Sequence, residues 1–162
     1  VRQTSIGTAV APAAVAERPL PAPRLAWWQA VLVALAGGLT LALSFPPAGL
    51  WPLAVVAPAL LVFALWRQRL RTALLAGFAF GLTFFFPLLS WVVNVAWYAW
   101  VALALASAVI FAVLGAGQWM LLRLRAWPLA VAGWWVASEA VRSRWPWGGF
   151  PWGRLVMSQA TS

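Results

Sequence analysis

Five long apolar runs follow one another along this chain, and nothing else in it constrains the fold as tightly. They are Leu25 to Phe45, Ala48 to Trp66, Thr72 to Trp91, about Ala99 to Leu122 and about Trp127 to Val141. A hydrocarbon core ~30 Å thick takes about 20 helical residues to cross. Inside lipid each backbone polar group must find its partner within the protein, which helices achieve locally. The expected fold class is therefore an all-α integral membrane protein with about five transmembrane helices. Two runs have uncertain boundaries. The second carries Pro52 and Pro58; the fifth spans only 15 residues and holds Glu139. A carboxylate is costly at the bilayer centre, so that run should end near the interface or against a water-filled cavity.

Composition narrows the chemistry. Of 162 residues, 65% are hydrophobic and 8% charged, against roughly 25% charged in a soluble domain, which excludes an ordinary cytosolic domain. The chain contains no Cys, His, Lys or Asp; its eleven positive charges are all Arg and its two acids are Glu17 and Glu139. Disulfides, zinc sites, cysteine nucleophiles and catalytic triads lack their parts, and the acid–base repertoire reduces to two Glu and Tyr98. No catalytic residue, metal site or cofactor site is expected from these residues. A net charge of +9 raises nucleic-acid binding, but that needs a solvated basic face. Here the Arg sit in short clusters between apolar runs, which membrane topology explains better.

Short cytoplasmic loops accumulate positive charge, and the Arg are distributed accordingly. Arg2, Arg18 and Arg24 precede the first run, Arg67, Arg69 and Arg71 join the second to the third, and Arg123 and Arg125 join the fourth to the fifth; the other two joints contain none. The N-terminus is thus expected in the cytoplasm and the stretch from Arg142 onward outside it. Residues 1–24, rich in Ala and Pro, read as a disordered cytoplasmic tail. A cleaved signal peptide competes, with Ala42-Leu43-Ser44 as cleavage site, but the 21-residue first run exceeds the 7 to 15 residues of a signal core. Residues 25–141 form the expected five-helix bundle, and residues 142–162 an extracytoplasmic or re-entrant loop. Gly37-Gly38, Gly77 with Gly81, and Gly115 with Gly117 offer close helix approach. The Trp cluster at segment ends like an interfacial aromatic belt.

The stretch from Glu139 to Gln159, EAVRSRWPWGGFPWGRLVMSQ, breaks this pattern. Arg142, Arg144 and Arg154 lie on the side that should be poor in positive charge, around a segment whose Pro and Gly cannot cross lipid as a helix. Two readings stand. In one, guanidinium groups pair with phospholipid phosphate while indoles sit at the ester level; in the other, the segment is an interfacial anchor with Glu139 and Arg142 as an i,i+3 pair.

Three pieces of this sequence resemble the apolipoprotein N-acyltransferases of bacterial envelopes. They are Ser44-Phe45-Pro46-Pro47 followed by Leu50-Trp51-Pro52; GFAFGLTFFFPLLSWV from Gly77 to Val92; and Glu139-x-x-Arg142 followed by Gly149-Phe150-Pro151-Trp152 and Ser158-Gln159. Their order is similar to that family's N-terminal membrane region over about residues 25–162. Pro146-Trp147, ahead of the last motif, departs from the pattern. The resemblance implies an enzyme of the bacterial inner (plasma) membrane, multi-pass, that moves an acyl chain from a phospholipid donor to the N-terminal cysteine of a diacylglyceryl-modified apolipoprotein. It implies no cofactor and no nucleic-acid partner. In the family, a nitrilase-like domain supplies Glu, Lys and Cys as base, acid support and nucleophile, and no residue of this chain matches that set. The expectation is a truncated or incomplete product, inactive by itself. Within it, Glu139 orients Arg142, Arg142 and Arg154 meet lipid phosphate, and Gly149, Phe150, Pro151 and Trp152 shape a turn beneath the active site. The alternative is a non-enzymatic membrane scaffold or a fragment of a small transporter.

Overall fold

The computed structural model describes residues 24–144 and 153–159. The tail expected over residues 1–24 falls, except for Arg24, outside the described residues, as do Gly149, Phe150, Pro151 and Trp152. Five α-helices run in chain order: α1 Trp27–Leu43, α2 Leu53–Leu65, α3 Leu70–Leu88, α4 Trp97–Leu121 and α5 Trp127–Arg142. Short 3-10 helices cover Ser90–Asn94 and Leu155–Gln159, and the described residues contain no strand. The described residues are all-α.

The helices are shorter than the apolar runs for local reasons. At the start of α1, the Gln29 side-chain oxygen accepts the Ala26 main-chain N–H at 2.9 Å, satisfying a donor that a helix end leaves open. Its last turn closes at Ser44, whose hydroxyl donates to the Leu41 carbonyl at 2.6 Å. The turn that follows contains Pro46 and Pro47, joined by a cis peptide bond. It keeps α2 from starting before Leu53, so the second run yields 13 helical residues and the first 17. Pro87 stands in the last turn of α3, and the apolar residues beyond it form the 3-10 turn instead of extending the helix. Of the five helices, α3 with 19 residues and α4 with 25 are long and apolar enough to cross a membrane by length and composition. The helix α5 runs one residue past the expected Val141, to Arg142.

The core lies around α3, which packs against α1 on one side and α4 on the other, while α5 lies against α4. Backbones meet where side chains are smallest. A Cβ on Gly115 would stand 2.9 Å from both the Ala73 carbonyl oxygen and the Gly77 Cα, so this α3–α4 crossing admits nothing larger than glycine. Beside Gly38, the Thr83 hydroxyl donates to the Leu35 carbonyl of α1 at 2.9 Å. Toward α5 the Trp134 indole donates to the Leu114 carbonyl at 2.9 Å, in the space that Gly117 leaves open. Phe80, Phe84, Phe85, Phe111 and Trp135 fill the interior, with centroid distances from 4.6 Å for Phe84–Phe85 to 6.2 Å for Phe80–Trp135. Buried positions are otherwise mostly Ala, Gly and Leu, with Ser107, Thr72 and Gln118 among them, while large apolar side chains such as Val55, Val113 and Leu129 point outward.

Candidate functional site at the end of the fifth helix

Spacing of three and four residues puts Trp135, Glu139 and Arg142 on neighbouring positions of one helix face. Each of the last two reaches the chain that returns at Gly153. The Glu139 carboxylate accepts the Leu155 main-chain N–H at 2.9 Å and the Trp135 indole N–H at 3.2 Å through the same oxygen, Oε1. The Arg142 Nη2 donates to the Gly153 carbonyl at 3.3 Å. Two side chains three residues apart on α5 thus hold two main-chain groups two residues apart on the returning segment.

Burial makes this arrangement demanding. Arg142 is only 4% exposed, and a guanidinium removed from water needs hydrogen bonds and opposite charge around it. Its central carbon lies 5.3 Å from the Phe85 ring centroid and 5.9 Å from that of Phe111, within the range of cation–π attraction. Glu139 supplies attraction and Arg154 repulsion to its charge. Arg154 itself is half-buried, and its Nε is sealed from solvent without a hydrogen-bond partner.

Gly153 fixes the third side of the site. Its φ is +76°, and a Cβ there would lie 2.8 Å from Leu88 Cδ2 and 2.9 Å from Phe84 Cζ. The residue must therefore be glycine both for its backbone and for its contact with the end of α3. Beyond it, buried Ser158 donates its hydroxyl to the Leu155 carbonyl at 2.7 Å. Exposed Arg144 turns back instead, to the Ala140 carbonyl at 3.1 Å. Next to Arg142 a mostly apolar groove of about 300 Å³ runs between α4 and α5, lined by Ile110, Val113, Trp134, Ser138 and Val141.

Of the residues singled out in the sequence, Glu139, Arg142 and Arg154 come together here. Sequence reasoning overlooked Gly153, the Phe85–Phe111 pair beneath Arg142, the Trp135 indole on Glu139 and the groove. A Trp four residues before the lone membrane-side Glu was the one available signal; the others depend on tertiary packing. Among the described residues no three His, Cys, Asp or Glu side chains are grouped to hold a metal. What the site offers is a clamp with a buried positive charge and an apolar groove beside it.

A family model described as the apolipoprotein N-acyltransferase N-terminal domain matches residues 37–162. Curated relatives carry the same enzyme name. The protein from Mycolicibacterium smegmatis is 44% identical over 99 residues, covering 59% of this chain and 17% of its own length. That from Pseudomonas paraeruginosa is 35% identical over 143 residues, covering 77% of this chain and 27% of its own. That from Vibrio parahaemolyticus is 30% identical over 136 residues, with 75% and 27% covered. The chain spans between 17% and 27% of the length of these relatives.

Proposed function

The chain belongs to the apolipoprotein N-acyltransferase family through that family's N-terminal domain, and we propose on this basis that it is the membrane part of such an acyltransferase. The reaction is transfer of an acyl chain from a phospholipid to the N-terminal diacylglyceryl-cysteine of lipoproteins, in a bacterial inner (plasma) membrane. By resemblance to the family the nucleophile belongs to a nitrilase-like domain; this sequence contains no Cys and no Lys to match it, and the 162-residue chain is inactive alone. All five helices cross or enter the bilayer with the N-terminus in the cytoplasm. Residues 1–24 are a cytoplasmic tail, residues 25–141 the bundle, and residues 142–162 an extracytoplasmic or re-entrant loop. Outward-facing Val55, Val113 and Leu129 and the one-sided placement of Arg support this reading.

The observation that carries the assignment of a role is the double tether of Glu139 to Leu155 and Arg142 to Gly153. It anchors the chain at Gly153 and Leu155 to the end of α5; Gly149, Phe150, Pro151 and Trp152, which lie outside the described residues, shape a turn beneath the active site. Arg154 meets a lipid phosphate there; Arg142, expected from the sequence to meet it too, is 4% exposed and stands behind it as the buried charge. The groove beside Arg142 receives an acyl chain. A phospholipid carrying a photoreactive acyl chain tests this in the full-length enzyme. Crosslinks should map to the peptides containing Val113 and Val141 and vanish when Ser138→Trp fills the groove; labelling spread evenly over all helices would refute it. Lipoprotein N-acylation by the purified 162-residue chain would refute the claim that it is inactive alone.

A further inference from the structure

The end of the bundle away from Arg142 is built around Gln68. This residue is buried, its side-chain Nε2 donates to the Leu25 carbonyl at 2.9 Å, and its own carbonyl accepts the Trp119 indole N–H. The start of α1, the α2–α3 turn and the end of α4 are thereby locked together. Arg67, next in the turn, has φ +60°, a left-handed backbone that non-glycine residues adopt at a cost and that tends to mark functional positions.

Arg67 lines a cavity of about 390 Å³ together with Trp66, Gln68, Trp119 and Arg123. The Arg123 guanidinium stacks 4.0 Å above the Trp119 ring. Two loops far apart in sequence therefore present Arg to one concave space with indole walls. A second cavity, of about 380 Å³, holds Arg69 and Arg71 on another side of Gln68. With Arg24 and Arg125 this end carries six guanidinium groups, while the only carboxylate among the described residues, Glu139, is at the opposite end. Such a concentration of charge at a membrane surface is stabilised by anions, and guanidinium matches phosphate through paired hydrogen bonds.

We propose that the cavity between Arg67 and Arg123 holds the phosphodiester headgroup of an anionic phospholipid from the cytoplasmic leaflet. Basic pockets between transmembrane helices on that side recognise such headgroups, and the Trp66 and Trp119 indoles lining this one suit the ester region of a lipid. This site is separate from the acyl-donor groove, which lies at the other end of the bundle. It rests on the orientation proposed above.

The test uses the full-length enzyme in nanodiscs of phosphatidylcholine with a minor fraction of phosphatidylglycerol, and native mass spectrometry to count retained lipid. Retention of phosphatidylglycerol should fall at least roughly tenfold in the Arg67→Gln, Arg123→Gln double variant and stay unchanged in Arg125→Gln. Equal loss in both would mean diffuse charge attraction and overturn the site, as would full retention in the double variant. Displacement by millimolar inorganic phosphate would overturn the lipid assignment in favour of free phosphate. Should the double variant not fold, crosslinking of a headgroup-photoreactive phosphatidylglycerol to the wild-type enzyme decides. Crosslinks on the peptide containing Trp119 and Arg123 support the site, and their absence refutes it. Labelling of the peptide containing position 124 in a Leu124→Cys variant by a membrane-impermeant maleimide, read against the unsubstituted enzyme, reports the orientation separately. Reaction from outside intact cells would overturn the leaflet assigned here while leaving headgroup retention to be read on its own.

Discussion

The carboxylate of Glu139 holds the main-chain N–H of Leu155 at 2.9 Å, across sixteen residues of sequence. A carboxylate in this position need not carry charge to do so, because a side-chain amide also presents an oxygen acceptor. Glu139→Gln is therefore expected to keep the tether, whereas Glu139→Ala strands the Leu155 and Trp135 donors at a cost of about 1–3 kcal/mol. Limited proteolysis between residues 144 and 153 in detergent should be fastest in the alanine variant and intermediate in the glutamine variant, which keeps the acceptor but loses the attraction to buried Arg142. Equal acceleration in both would mean that charge, and not the acceptor, is what matters.

Arg142 combines a hydrogen bond to Gly153 with a place over the Phe85 and Phe111 rings. Arg142→Ala is expected to cost about 3 kcal/mol, the sum of a charged hydrogen bond and the cation–π contacts. Arg142→Lys should recover little, since an ammonium lacks the flat surface that lies on the rings. In a full-length enzyme, lipoprotein N-acylation should drop while the amount of inserted protein stays constant. Parallel loss of activity and membrane insertion would assign Arg142 to folding instead.

Gly153 and Gly133 make a matched pair. At Gly153 an alanine meets both a left-handed backbone and atoms 2.8 and 2.9 Å away, so Gly153→Ala should destabilise by about 2 kcal/mol or more. At Gly133, in the middle of α5, a Cβ would meet nothing within 4 Å, and Gly133→Ala should stabilise by up to about 1 kcal/mol. Thermal denaturation of the two variants in one detergent, followed by helical circular dichroism, separates them by sign.

At the crossing of α3 and α4, Gly115→Ala places a methyl 2.9 Å from the Gly77 Cα and the Ala73 carbonyl. The two helices must move apart, and overpacking of this kind costs about 1–3 kcal/mol. A melting temperature equal to wild type would show that the crossing can widen without loss.

The sequence made the helices legible where length and hydropathy agree, as in α3 and α4. It overstated α1 and α2 because apolar character continues into Phe45, Leu50 and Trp51, whereas Ser44 and the prolines at 46, 47 and 52 decide where the backbone turns. Helical spacing placed Glu139 and Arg142 on one face. That both would grip returning main chain was not readable, since Gly153 sits against Leu88 and Phe84 on a different helix. Buried guanidinium over Phe85 and Phe111 likewise depends on how α3 and α4 cross, which turns on Gly77 and Gly115 and not on any motif near Arg142.

In mechanical terms the return of the chain at Gly153 is a three-point mount. One attachment would leave the segment free to swivel, and two would leave a single axis of rotation. Glu139, Arg142 and the Leu88–Phe84 seat together remove that axis, so the heading in which the chain leaves the bundle is set jointly by α3 and α5. A small tilt of either helix would then re-aim the turn Leu155–Gln159 without releasing it.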